Sequence, residues 1–374
     1  ALQKAGYEIG HIGVDHIRVK PPMREQGFEF FLNQEDYEAW AAAKNVKTVR
    51  KPEELVTVQE EVDGQYVEKK YSGHRVSQWE NPFETLKDIY FRDHSLEFLR
   101  QLPEGKLFAM FTYLWAPHPP LRVPEPYASM YPPEKLVLPD NIGITAEGEP
   151  PLRRKGVPAQ LAEQVPKEEW RQVWSAHLAL TTMADDVLGM ILEELKKQGK
   201  YENTCVVFTA DHGDSLGQHQ MYQKMEMYEE SVKIPLVIRL PGAKTGKTAK
   251  LVSHLDLKPT LCEIGGASAG ACDGRSLVPF LEGKEELEQK PAYIQYSGNP
   301  SYGTIRRAVV TERYKYIYDS SHAHELYDLE KDPHEMNNVA DDPRYETVLK
   351  ELHEACKRFH QDHQDYFDWE GKRK

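Results

Sequence analysis

The chain has 374 residues, 40% of them hydrophobic, which is enough for one large domain with its own core and a smaller companion. A formal net charge of −13 repels nucleic acid and anionic membrane surfaces over most of the molecule, so an anionic ligand needs cations gathered in one place. No stretch approaches the ~18 apolar residues of a membrane helix, and no segment has a signal-peptide layout.

In chain order, the opening "ALQKAGYEIGHIG" has no methionine and no cap residue, and it reads as the last turn of a helix closed by Gly6. The expectation is that a preceding segment is missing from this sequence, which leaves the compartment open between the cytoplasm, slightly favoured, and the periplasm or exterior. Apolar runs at 7–13, 106–115, 203–210 and 234–242 end in polar or Gly/Pro punctuation and fit strands covered on both faces. The stretch 33–81 is highly charged and poor in apolar residues, an insertion or a mobile flap. The stretch 117–166 holds twelve prolines, which argues against a regular element and for an ordered excursion at the rim of a pocket. From 170 to 198, Leu178, Met183, Val187, Leu188, Ile191, Leu192 and Leu195 recur at helical spacing and stop before Gly199. Another helix starts at Ser253 and runs toward Gly265.

Strands alternating with helices predict an α/β fold, a mostly parallel central sheet flanked by helices. After about residue 286 the runs "PAYIQYS", "RRAVVTE" and "RYKYIYD" predict a small antiparallel sheet, followed by a helix over 345–361. The domains are accordingly 1–285 and 286–374. Cys205, Cys262, Cys272 and Cys356 show neither paired nor metal-ligand spacing and read as ordinary thiols.

Ligands of such sheets sit at the carboxyl ends of the strands. The first run exits into "GVDHIR" and places His16 there; the second exits into "LWAPHPP" and holds His118 among three prolines; the third exits into "ADHGD" with Asp211 and His212. Three imidazoles and an acid pair at three strand ends suggest one shared site. Asp211 and His212 also suit a plain turn cap, and together they are half of a divalent-metal site. Asp185 and Asp186 lie inside a helix and read as solvent-exposed.

The block "FTADHGDSLGQHQMYQKMEMYEESVKIPLVIRLPG" resembles the signature of the sulfatase family within the alkaline-phosphatase-like superfamily. "AGYEIGHIGVDH", "WAPHPP" and "ELYDLEKDPHEMNN" resemble further family segments in the same order. The resemblance implies that Asp211 and His212 ligate a divalent metal, calcium first, with manganese or magnesium as alternatives. It implies that Lys224 grips the sulfate oxygens, His118 protonates the leaving alcohol and His16 assists breakdown of a sulfated enzyme. Physical chemistry agrees: sulfate-ester cleavage spreads negative charge that a metal and an ammonium stabilise, and the leaving alkoxide needs a proton.

Two departures stand out. Val14 and Asp15 occupy the positions of a family lysine and tryptophan, leaving nearby Arg18 as a replacement cation. The formylglycine precursor motif, Cys/Ser-x-Pro/Ala-x-Arg, has no match, nor has the N-terminal acidic pair that completes the metal site. The expected parent is therefore a sulfatase whose nucleophile lies outside this chain, which alone would be inactive and bind metal weakly, with an associated upstream fragment as a further partner. The substrate is a small-molecule or saccharide sulfate ester; no nucleic acid or membrane partner is expected. Lys224, Arg18, Tyr302 and Arg306, with Arg307, are candidate substrate-binding residues. Phosphonate monoester or phosphodiester hydrolysis on the same scaffold and a non-catalytic binding protein are the alternatives.

Overall fold

The structure, a computed structural model, describes residues 1–298, 303–367 and 369. It begins with β1 (Glu8–Gly13), β2 (Phe30–Asn33), α1 (Gln34–Ala43), the strands β3 (Leu55–Val62) and β4 (Gln65–Ser72), and β5 (Val76–Gln78). Next come α2 (Lys87–Gln101), β6 (Phe108–Tyr113), β7 (Leu121–Val123), α3 (Val157–Leu161) and the long α4 (Lys167–Lys197). Strand β8 (Val206–Thr209) leads to β9 (Ser215–Leu216), β10 (Tyr222–Gln223), α5 (Glu229–Val232), β11 (Leu236–Arg239), α6 (Leu257–Ile264) and α7 (Val278–Leu281). The C-terminal part is β12 (Ala292–Tyr296), β13 (Arg306–Val310), β14 (Tyr314–Asp319), β15 (His324–Asp328) and α8 (Glu346–Asp362).

The four apolar runs all form strands. β2, β1 and β6 make a parallel sheet in that order, with Ile12 level with Leu32 and Thr112. β8 pairs antiparallel with β11. Among the described residues no strand pairs with the outer edge of β6 or with the second edge of β8. Gly6, at φ 88°, closes the turn Gln3–Ala5 as the sequence suggests.

Helices α2 and α4 pack on each other, and α2 also packs on β1 and β6. The buried residues of α4 include Trp170, Val173, Leu180, Met183, Val187, Ile191 and Leu195, a stripe at three- and four-residue spacing. Facing them, α2 buries Phe91, Phe98 and Leu99. Each such side chain contributes about 1.5–3 kcal/mol on burial. Acids in the first turn of α4 and lysines in its last turn complement the helix dipole.

Two stretches differ from expectation. Residues 33–81 are built into the fold: Asn33 and Asp36 form a capping box on α1, and the β3–β4 hairpin buries Val58 and Glu60 while its other face stays in water. The proline-rich stretch contains β7 and α3, and its Leu121, Val123, Tyr127, Ile142 and Leu161 join the main core. Proline removes a backbone donor but does not stop its neighbours from burying apolar surface.

The C-terminal sheet, β12–β13–β14–β15, is antiparallel throughout, as predicted. Its strands alternate between two covered faces. Val309, Tyr316 and Leu326 pack with Leu352 and Cys356 of α8; Ala308, Ile317 and Tyr327 pack with Met221, Met227 and Tyr228. The second face also carries charge. Arg153 reaches Asp319 at 2.8 Å and Glu226 at 3.5 Å, and it donates through Nε to Glu325 at 2.9 Å, all four groups being buried. All four cysteines are free, and no helix among the described residues is long and apolar enough to cross a membrane.

Candidate active site

The exits of β1, β6 and β8 open onto one cavity of about 1940 Å³. His16, His118, Asp211, His212 and Lys224 all line it. The backbones of β1 and β6 meet closely at their ends. Gly13 has φ 126°, and a Cβ there would lie 2.0 Å from the Tyr113 carbonyl oxygen. That approach brings the His16 exit beside the His118 exit, with Trp115 between them. The Trp115 ring lies 4.2 Å from that of His118 and 6.5 Å from that of His16.

The loop carrying His118 is anchored from below. Buried Asp88, in the first turn of α2, accepts the Trp115 N–H at 2.6 Å and the Ala116 N–H at 3.0 Å. Lys87, its neighbour, places its ammonium 4.6 Å from the centre of the Trp115 ring, a cation–π contact. Neither residue was legible as part of the site, because an acid in a first helical turn reads as an ordinary dipole partner.

His118 donates from Nδ1 to the Pro119 carbonyl at 2.7 Å; a carbonyl can only accept, so Nε2 is left unprotonated. That Nε2 accepts from the Lys224 ammonium at 2.7 Å. Burial and the Lys224 charge push His118 down to about 3, and burial also lowers Lys224. Behind them, burial holds Asp214 up to about 7, with Oδ1 unpartnered.

His212 lies across from His118, ring centres 6.4 Å apart. It donates from Nδ1 to the Gly213 carbonyl at 2.7 Å, leaving its Nε2 lone pair 3.4 Å from Oδ2 of Asp211, whose side chain is 86% exposed. A ring nitrogen fixed in this tautomer beside an open carboxylate suits a shared divalent cation. Gly213 is required here. A Cβ would lie 2.0 Å from the Glu230 carbonyl oxygen, and the Gly213 N–H donates to the Ser231 carbonyl at 2.8 Å.

The other candidates are placed elsewhere. Arg18 is exposed and does not line the cavity. Arg306 is 2% exposed and spent on Glu226 at 3.0 Å and the Met225 carbonyl at 2.7 Å; Arg307 is held by Asp365. Tyr302 lies outside the described residues. The charged stretch supplies two cations unnoticed in the sequence, Arg50 and Lys70, both on the cavity wall.

An ammonium, three imidazoles and a carboxylate around one hollow at the strand ends define an α/β protein with an anion-receptive cavity. The chain belongs to the sulfatase family, within the alkaline-phosphatase-like superfamily. The Sulfatase family model matches residues 1–267, and the N-sulphoglucosamine sulphohydrolase C-terminal model matches residues 217–362. The chain is 30% identical over 315 residues to the multifunctional alkaline phosphatase superfamily protein PehA of Trinickia caryophylli, covering 76% of this chain and 61% of that protein. It is 28% identical over 368 residues to an arylsulfatase of Clostridium perfringens, covering 94% of this chain and 75% of that one. Its fold matches a solved phosphonate monoester hydrolase from Silicibacter pomeroyi with TM-score 0.73 at 24% identity, over 98% of this chain and 79% of the other. The chain thus spans about three-fifths of the Trinickia relative's length.

Proposed function

We propose that the protein containing this chain hydrolyses a sulfate ester. The observation that carries the reading is the Lys224–His118 pair, 2.7 Å apart, facing the Asp211–His212 donors across one cavity. A bound sulfate ester competes for the Lys224 ammonium and so frees Nε2 of His118 for the leaving oxygen. The negative charge of the ester favours the protonated form of this pair, and the pair's proton passes to the departing alkoxide as the S–O bond breaks. Asp211 and His212 would hold a divalent cation, calcium first with manganese or magnesium as alternatives, and such an ion would supply Lewis-acid stabilisation of negative charge on the sulfate oxygens. His16 stands where it can assist release of the sulfo-enzyme.

The nucleophile in this reading is of the formylglycine type and comes from sequence outside this chain, since no Cys or Ser here is followed by x-Pro/Ala-x-Arg. Among the described residues the edges of β6 and β8 are unpaired, which is compatible with a strand from that segment. This chain alone is then inactive. Arg50 and Lys70 suit a small-molecule or saccharide ester bearing further negative charge.

A second reading, phosphonate monoester or phosphodiester hydrolysis, is favoured by His212 in place of Asn and by Val14 in place of a lysine. Turnover of an aryl sulfate and an aryl phosphonate by the full-length protein separates the two. A preference for the sulfate is expected; a large preference for the phosphonate overturns the first reading.

A further inference from the structure

Glu229 and Ser231 of α5 line the cavity, but Glu230 between them does not. It meets a second group of polar atoms. His219 and Glu335 are fully buried and Asn141 is 4% exposed. Nε2 of His219, Oε2 of Glu230 and Oδ1 of Asn141 are buried without a hydrogen bond. The His219 ring is held flat on Tyr228, centres 4.0 Å apart and planes 2° apart.

His219 Nε2 and Glu230 Oε2 are 3.8 Å apart, too far for a hydrogen bond. That spacing is close to the roughly 3.4 Å between neighbouring ligands of a tetrahedral ion with ~2.1 Å bonds. His219, Glu230 and Glu335 each bring one ligand atom, all within 4.8 Å of one another. Asn141 joins them by donating from Nδ2 to Glu230 Oε1 at 3.3 Å. Lys315 lies 2.7 Å from Glu229 and 2.8 Å from Glu335, and Lys233 lies 3.2 Å from Glu229, so two ammoniums meet the three carboxylates of Glu229, Glu230 and Glu335 and one negative charge remains to attract a cation.

We propose that His219, Glu230 and Glu335 bind a structural divalent cation of the zinc type, with Asn141 completing its shell. The ligand set, one imidazole and oxygens, suits zinc or a neighbouring first-row metal. The ion ties together three segments distant in sequence: the proline-rich stretch, the signature block with its α5, and the C-terminal subdomain. Through Ser231, whose carbonyl holds the Gly213 N–H, it stands behind the turn that carries Asp211 and His212. The site does not depend on the hydrolytic reading.

The rival occupant is a proton, because burial raises Glu230 and lifts Glu335 to about 7. The test uses the full chain carrying Asp211→Ala and His212→Ala, which removes the other donor pair. After chelation it is titrated with zinc, with metal counted by plasma mass spectrometry and thermal unfolding followed in parallel; cobalt(II) reports coordination by its visible bands. One equivalent bound, a raised Tm and cobalt bands of four-coordinate type are expected. Adding His219→Ala, or the near-isosteric Glu335→Gln, should weaken binding about 100-fold or more and abolish the zinc-dependent rise in Tm. No bound equivalent, or binding indifferent to both substitutions, overturns the proposal in favour of a shared proton.

Discussion

Nζ of Lys224 donates to Nε2 of His118 at 2.7 Å, so the free site stores its ammonium against a neutral imidazole. Burial first, and then the Lys224 charge, hold this imidazole down to about 3, and a bound anion offsets the Lys224 part of that shift. In the full-length protein, His118→Ala is expected to slow an alkyl sulfate about 10²–10⁴-fold, and a nitrophenyl sulfate far less, because the better leaving group needs no proton. Lys224→Ala should cost both substrates about 10²–10³-fold, since the oxyanion is common to them. Parallel steady-state rates on the two esters check this. Equal losses from His118→Ala would remove its acid role.

Asp88 makes a second prediction. Its carboxylate accepts two backbone N–H groups of the Trp115–Ala116 turn, and burial raises its pKa despite those bonds. Asp88→Ala leaves both donors unpaired and should cost about 2–4 kcal/mol. Asp88→Asn keeps one acceptor oxygen and should recover much of it. Urea unfolding measures the stability. Amide hydrogen exchange at Trp115 and Ala116 reports whether the His118 loop has loosened, and it should quicken in the alanine variant and return toward wild type in the asparagine variant.

Much of this arrangement is legible in the sequence. The main strands are apolar on both faces, so β1, β6, β8 and β11 stood out as uninterrupted runs, and α4 announced itself by its stripe and Gly199. His16, His118, Asp211 and His212 stand out as candidates because each lies two to five residues past a strand end. The β3–β4 hairpin is hidden because Glu60 and Lys69 sit on its inner face and Leu55 and Tyr66 on its outer one, which breaks the period-two alternation over Leu55–Ser72. Arg306 and Arg307 show a different limit. Adjacent in β13, they point to opposite faces, and their partners Glu226 and Asp365 are remote in sequence, so no local pattern reveals that both are already spent. Asp88 acts on a turn 27 residues away, and nothing local marks that reach.

Arg153 joins the proline-rich stretch to the C-terminal sheet and provides a stability test. It is 1% exposed and surrounded by Asp319, Glu325 and Glu226. Burial alone would raise the Asp319 carboxyl, yet Arg153 and the Ser321 hydrogen bonds hold it below the usual range. Arg153→Met takes the guanidinium from buried Asp319 and Glu325, while Glu226 keeps Arg306, and should destabilise by about 3–5 kcal/mol. Lys350→Ala, which removes an exposed i,i+4 pair with Glu346, should change stability by no more than about 0.5 kcal/mol. Chemical denaturation of both variants at pH 7.5 makes the comparison, and similar losses would show that the buried network is not what joins the two parts.

His177, on α4, separates burial from charge pairing. Its ring is lowered to about 4 by burial alone, and its Nδ1 is buried without a partner. The folded-state pKa lies below the unfolded value near 6.5, so its contribution is present above pH 6.5 and is lost as pH falls toward 4, where the unfolded chain binds the extra proton. Between pH 7.5 and pH 5 that loss amounts to about 1–2 kcal/mol. His177→Leu removes the titration and leaves an apolar side chain with good helix propensity. Relative to wild type, the variant should therefore gain about 1–2 kcal/mol more at pH 5 than at pH 7.5. Other buried imidazoles such as His360 keep the rest of the acid sensitivity in both proteins. Urea unfolding of both proteins at the two pH values supplies the difference. An offset that is the same at pH 5 and pH 7.5 would mean that His177 titrates normally and that water reaches its ring.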